Sequence, residues 1–210
     1  KDTDDGDPTA LAFSTVNVNA FVTFGERYGH FKSNGGGSHI NFEPMQYICF
    51  MDEFKWFMDD NEMELTSSRK ASDDFVIDTS EEQASSNFFS INEFQDSLNF
   101  LAPKAIYDID ASIIAFDKIK YIAVADSKII PDSGRVVIQK KAKMQTLDKA
   151  TVISNYVTQY HRIFNSTLNI YGRLEYAGEG DYTYYDEDKV QQIVHLDQIK
   201  VDTTLQTVAF

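Results

Sequence analysis

Cysteine is almost absent. Cys49 is the single thiol in 210 residues, which excludes an internal disulfide and a cysteine-rich zinc site. Its setting, Tyr47-Ile48-Cys49-Phe50-Met51, is apolar and marks an inert, buried thiol rather than a nucleophile. No run of apolar residues approaches the length needed to span a bilayer as a helix, so no transmembrane segment is expected. Positive charge is scarce: 19 Lys+Arg face 33 Asp+Glu, a net charge of −14. A chain so acidic is repelled by nucleic acid and by anionic lipid, and nucleic acid is excluded as a first partner. The Gly-x-Ser-x-Gly nucleophile elbow is missing. The four histidines, His30, His39, His161 and His195, are scattered, with no pair spaced for a sequence-local zinc site. Ser33-Asn34-Gly35-Gly36-Gly37-Ser38 has glycines but no following Lys-Ser/Thr and helix. It is a turn, expected to make a hairpin or a close backbone approach, rather than a phosphate cradle.

What the chain does have is apolar content of 42%, with 16 Phe and 11 Tyr, enough for a folded core. These residues fall in short runs bounded by Gly, Asn, Asp or Ser, the mark of strands and turns. The expected fold is mostly β: short stacked strands, as a β-solenoid or an elongated antiparallel sheet or jellyroll, with one or two short helices. Leu11–Phe24 carries the alternation Val16, Val18, Ala20, Val22, Phe24, one face of a strand. Gln46–Leu65 fits helical spacing through Phe50, Phe54, Phe57 and Met58, and strand alternation through Phe54, Trp56 and Met58. Glu93–Leu98 suggests a helical turn. Residues 66–87 are polar and read as a long surface loop, with a brief strand at Phe75-Val76-Ile77.

Residues 1–10 form an acidic leader of the kind that follows a removed signal peptide, a lipid-anchored cysteine or an inter-domain linker. Residues 11–210 form one β-rich domain, with a possible subdivision near 66–90. The chain ends on the β-branched run to Phe210, which suggests a piece of a longer protein or a tightly docked last strand. From Leu98 on, aliphatic runs recur after small polar starts at Asp110, Asp126, Asp148 and Asn165, which are 16, 22 and 17 residues apart. That is the length of one solenoid rung or one hairpin of a meander. Residues 101–150 carry nine Lys/Arg against six Asp/Glu, a locally basic middle between acidic flanks.

Asp181-Tyr182-Thr183-Tyr184-Tyr185-Asp186-Glu187-Asp188 is the sharpest local feature. Its carboxylates, Asp181, Asp186, Glu187 and Asp188, are candidate Ca²⁺ ligands, although EF-hand spacing is absent. The alternative is a hairpin with an acidic turn at Asp186-Glu187-Asp188 and a return strand through Val190 to Leu196. Tyr182, Tyr184 and Tyr185 are candidates for an aromatic recognition platform, as is Trp56, against packing roles for all four. No cofactor is otherwise implied.

Several segments carry a resemblance. They include Gln95–Phe100, Ala105–Asp108, Tyr121–Gly134, Lys141–Leu147, Tyr160–Asn165 and Gly172–Tyr182. Together they resemble very large, uncharacterised cell-envelope proteins of Bacteroidetes, over most of residues 40–210. The resemblance implies an exported, periplasmic or outer-membrane-associated chain. Its partners would be other envelope proteins or further domains of the same chain, and no catalytic residues are carried over. A looser similarity, through Ala105-Ile106-Tyr107-Asp108 and Ile113–Val124, is to OstA-class lipopolysaccharide-transport β-jellyrolls, which implies lipid inside a groove. Three functions follow as expectations: a non-enzymatic structural or binding module of the envelope, a lipid- or lipopolysaccharide-carrying groove, and a glycan hydrolase built on paired carboxylates.

Overall fold

The computed structural model describes residues 11–68, 86–155 and 161–210. Strands dominate, in the order β1 (Ser14–Val16), β2 (Val18–Thr23), β3 (Tyr28–Ser33), β4 (His39–Phe42), β5 (Tyr47–Cys49), β6 (Glu53–Phe57), β7 (Glu62–Thr66), β8 (Phe88–Ser90), β9 (Asn99–Phe100) and β10 (Lys104–Asp108). There follow β11 (Ile113–Asp117), β12 (Ile122–Val124), β13 (Ser127–Ile130), β14 (Val136–Gln139), β15 (Lys143–Met144), β16 (Leu147–Ser154), β17 (His161–Gly172), β18 (Glu175–Tyr185), β19 (Gln191–Val201) and β20 (Thr207–Ala209). Helix is confined, among the described residues, to 3₁₀ turns at Glu43–Met45, Glu93–Gln95 and Asp132–Gly134. The mostly-β expectation holds. Every pairing among the described strands is antiparallel. The acidic leader, most of the polar loop and Phe75-Val76-Ile77 lie outside the described residues.

The chain deals its hairpins alternately into different sheets. β2–β3, β6–β7, β10–β11 and β14–β15 stack side by side into an eight-stranded sheet. β1, β4–β5 and β8–β9 form a five-stranded sheet. β12–β13 and β16 to β20 form a seven-stranded sheet. Along β3, β4, β7, β10, β11 and β14 the burial alternates with period two, as a pleated strand with one covered face requires. On β10 and β11 the buried positions are Ala105, Tyr107, Ile114 and Phe116.

The first two sheets face one another through interleaved rings. Phe42 meets Tyr107 edge-on at 5.1 Å between centroids. Phe116 meets Phe88 at 4.6 Å and Phe100 at 5.1 Å, both nearly perpendicular. T-shaped contacts of this kind place the electropositive edge of one ring on the face of the next. The core runs on without a break into the third sheet through Ile122, Ile129, Val152, Leu168, Tyr176 and Ile199.

Three of the four hairpins of the eight-stranded sheet share a turn. Phe24–Arg27, Met58–Asn61 and Ile109–Ser112 each have four residues and end in the left-handed region, with φ of 52°, 48° and 51°. Successive turns are bonded to each other. Met58 N donates to the Arg27 carbonyl and Ile109 N to the Asn61 carbonyl, each at 2.9 Å. The side chains follow suit: Arg27 Nε reaches Asp59 at 2.8 Å, and Asn61 Nδ2 donates to the Asp110 carboxylate at 3.1 Å. This ladder is a repeat of the eight-stranded sheet, and of the expected starts only Asp110 takes part in it.

Three local expectations need correction, and one ambiguity is resolved. Leu11–Phe24 is not one strand. Asn17 takes φ 55°, and the chain passes there from the five-stranded to the eight-stranded sheet. The Ser33–Ser38 turn is likewise a crossing between sheets, with positive φ at Gly35 and Gly37. The ambiguous segment resolves to strands β5, β6 and β7. Asp148 and Asn165 begin no run, because both lie inside the long strands β16 and β17.

Candidate functional site

The acidic, tyrosine-rich segment is a hairpin. β18 and β19 flank a turn in which Lys189 N donates to the Asp186 carbonyl at 3.0 Å and Lys189 takes φ 61°. Asp186 serves the turn itself, accepting from Val190 N at 2.9 Å and from Gln192 Nε2 at 3.2 Å. Glu187 and Asp188 are at the tip, Glu187 exposed. Asp181 is five residues away along the strand and accepts from His195 Nδ1 at 2.8 Å and Asn165 Nδ2 at 3.1 Å. The four carboxylates are therefore not gathered around one point, and no cluster of three or more metal-ligating side chains occurs among the described residues.

The three tyrosines do not share a face. Alternation along β18 puts Tyr182 and Tyr184 on the side of Tyr176, which faces the core, and Tyr185 on the other side. Tyr182 packs against the core and its hydroxyl lies 3.2 Å from His161 Nδ1. Trp56 is half-buried, edge-on to Phe13 at 5.8 Å, and also packs on the core.

Asp181 and His195 form an exposed pair, with Asp197 at 3.8 Å from the other ring nitrogen. The hydrogen bonds from His195 and Asn165 hold the Asp181 carboxyl below the usual range. The bond to Asp181 raises His195. A raised histidine favours the folded state below its unfolded value and loses that contribution as pH climbs through the folded one. A lowered aspartate favours the folded state above its unfolded value and loses it as pH falls. The pair is therefore fully formed between the ordinary carboxylate and imidazole ranges. In an NMR titration the His195 imidazole is expected to titrate above an ordinary histidine and to move back down in Asp181→Asn. An unchanged midpoint in that variant would contradict the assignment. Asp181 and Asp202 are both held low, by hydrogen bonds, which is the opposite of what a general acid requires.

The most tightly connected polar group lies elsewhere, where the third sheet curls into a half-barrel. Thr207 of β20 meets the β12–β13 turn. Its Oγ1 donates to Asp126 Oδ1 at 2.6 Å, and its backbone N donates to the same oxygen at 3.0 Å. Ser127 Oγ and Tyr176 OH each lie 2.7 Å from Thr207 Oγ1 and 3.1 Å from one another. Burial pushes the Tyr176 phenol up to about 12, so it remains protonated. Ser127 is fully buried. Mutually satisfied hydroxyls on one carboxylate, without an imidazole or an open approach, make a fastening rather than a nucleophile. No local pattern reveals this group, because Tyr176 and Thr207 lie 31 residues apart and Thr207 is 81 residues from Asp126.

An open cleft of about 400 Å³ is bordered by Leu11, Pro44, Tyr107, Ile109, Lys140 and Lys141. The Tyr107 hydroxyl donates to the Ala12 carbonyl there, at 3.2 Å. Among the described residues that line the cleft Glu43 is the one carboxylate, so they supply no carboxylate pair.

These features define an antiparallel β protein of stacked hairpins. Comparison of the chain with protein-family models, with curated proteins and with solved structures gave no match. No helix among the described residues is long and apolar enough to cross a membrane.

Proposed function

We propose that the chain is a non-enzymatic structural module of a bacterial cell envelope, in which stacked hairpins carry shape and surface rather than chemistry. The observation that carries this reading is the filling of the space between the facing sheets. Phe42, Tyr47, Phe88, Phe100, Tyr107 and Phe116 are all buried to 2% exposure or less and interlock where a lipid-carrying groove would need room for acyl chains. The envelope setting is supported by the resemblance of residues 40–210 to large Bacteroidetes envelope proteins.

Native mass spectrometry of protein isolated from its own membrane fraction, with organic extraction of anything bound, tests the reading. The expected result is the bare chain mass. A stoichiometric lipid would overturn it in favour of the lipid-carrying groove. Recovery of the protein only from the soluble cytoplasmic fraction would remove the envelope setting.

A further inference from the structure

Where the three sheets meet, the surface carries another open cleft, of about 280 Å³. The 3₁₀ turn at Glu93–Gln95 contributes Phe94 to it. Strand β15 and the turn before it contribute Lys143 and Lys141, and β17 contributes Asn169 and Tyr171. Both rings are bare: Phe94 is 81% exposed and Tyr171 is 50% exposed.

The rings stand on packed backbone. Asn92 caps the 3₁₀ turn, its Oδ1 accepting from Phe94 N at 2.8 Å. The next residue, Gln95, is buried and pinned at both ends of its amide. Its Nε2 donates to the Ala142 carbonyl at 2.7 Å, and its Oε1 accepts from Tyr47 OH at 3.2 Å. Gly172 follows Tyr171 and lies against Gln95, where an added methyl would come within 3.0 Å of the Gln95 Cα.

The same backbone is strained. Among the described residues, two consecutive non-glycine residues with positive φ occur only twice, and both pairs adjoin this cleft. Lys141 and Ala142 take φ 60° and 59° in the turn between β14 and β15, and Asp96 and Ser97 take 48° and 57° directly after Gln95. Asparagine or glycine is the unstrained choice for such a hairpin turn. Left-handed residues of other types persist only where the surroundings hold them, and they gather at binding sites. Here the bond from Gln95 to Ala142 and the bond from Lys141 N to the Pro44 carbonyl, at 2.9 Å, hold the turn.

Charge at the cleft opposes that of the chain. The described residues lining it include two lysines and no carboxylate, in a protein with 33 Asp+Glu and a net charge of −14. Thr146 Oγ1 donates to Asn169 Oδ1 at 2.7 Å, which leaves the Asn169 Nδ2 as a donor for a ligand.

We propose that this cleft binds an acidic oligosaccharide, a chain bearing uronic acids. Its sugar rings lie on Phe94 and Tyr171, its hydroxyls meet the Asn169 amide, and a carboxylate meets Lys143 and Lys141. The apolar C–H face of a sugar ring covers an aromatic ring, and a few placed polar groups fix its orientation. The lysines supply charge-assisted hydrogen bonds. A peptide adding as a strand would need a longer edge than the two residues of β15. The site goes beyond the module role and does not rest on it: bound lipid would overturn the module and leave the cleft as described.

Calorimetric titration of the full chain tests it, with trisaccharides of galacturonate and of mannuronate and a hyaluronan tetrasaccharide as probes. Saturable, stoichiometric binding of at least one of them is expected, about tenfold tighter than that of neutral maltotriose and weakened by added salt. Phe94→Ala and Tyr171→Ala are each expected to lose about tenfold in affinity. Lys143→Gln is expected to bring the acidic probe down to the level of maltotriose. Binding of none of the three probes would overturn the proposal. So would equal binding of maltotriose or of a triglutamate peptide, or ring variants that bind as the wild type does. If circular dichroism shows Tyr171→Ala disturbed, Tyr171→Leu removes the ring in the same titration.

Discussion

Gly178→Ala is expected to destabilise the protein by about 3 kcal/mol, at the upper end of the usual cost of overpacking. A methyl group there would sit 2.0 Å from the Thr167 carbonyl oxygen and 3.0 Å from the Leu168 Cα, both backbone atoms that cannot rotate away. The crowding has a local origin. Asn165 takes φ 50° within β17, and the register against β18 shifts between Phe164 and Thr167. This bulge throws the β17 backbone onto β18, and Gly178 and Gly180 are the two positions that receive it. At Gly180 a methyl would meet the Ser166 hydroxyl at 2.4 Å, an atom on a side chain that can turn. Gly180→Ala is therefore expected to cost less than Gly178→Ala. Urea unfolding of the two variants beside the wild type measures both. A Gly178→Ala midpoint equal to the wild type would show that β17 and β18 separate freely there.

Phe116→Ala carries the other large effect, an expected loss of about 3–5 kcal/mol. Its ring is fully buried and joins the eight-stranded sheet to the Phe88–Phe100 stack of the five-stranded sheet. Removing it leaves a cavity between the eight-stranded sheet and the Phe88 and Phe100 rings, both on the five-stranded sheet, which cannot collapse unless the two sheets move together. Phe116→Leu keeps most of the volume and is expected to lose less than half as much. Thermal and denaturant unfolding decide this, and equal costs for the two variants would mean that ring geometry rather than filled volume holds the sheets together.

How much of this was legible in the sequence depended on the distance over which each feature is decided. The hairpin at Asp181–Asp188 was legible because its alternation and its acidic turn are contiguous. The segment around Trp56 was not, since Phe54, Trp56 and Met58 satisfy two periods at once and only pairing with β3 and β7 decides between them. The single strand expected over Leu11–Phe24 failed at one residue. Asn17 tolerates positive φ, and alternation continues across it by coincidence while the backbone changes sheet. For the candidate sites, residue type alone pointed to Tyr182, Tyr184, Tyr185 and the carboxylates. Their faces and partners were set by β17 and β19, which no local pattern encodes. The exposed row on β2 looks in the sequence like any half-buried strand, because alternation does not distinguish a central strand from an edge.

The fastening at Thr207 has a consequence for the order in which the molecule can form. Each hairpin of the eight-stranded sheet is local in sequence, so the stack can be laid down step by step as the chain emerges. Asp126 waits 81 residues for Thr207. Until that threonine arrives, the half-barrel stands open along its seam, with Ser127 and Tyr176 wet and the core ends of β12 and β13 bare. A nascent chain paused inside this interval exposes those surfaces, and the arrival of β20 fastens the half-barrel to the β12–β13 turn.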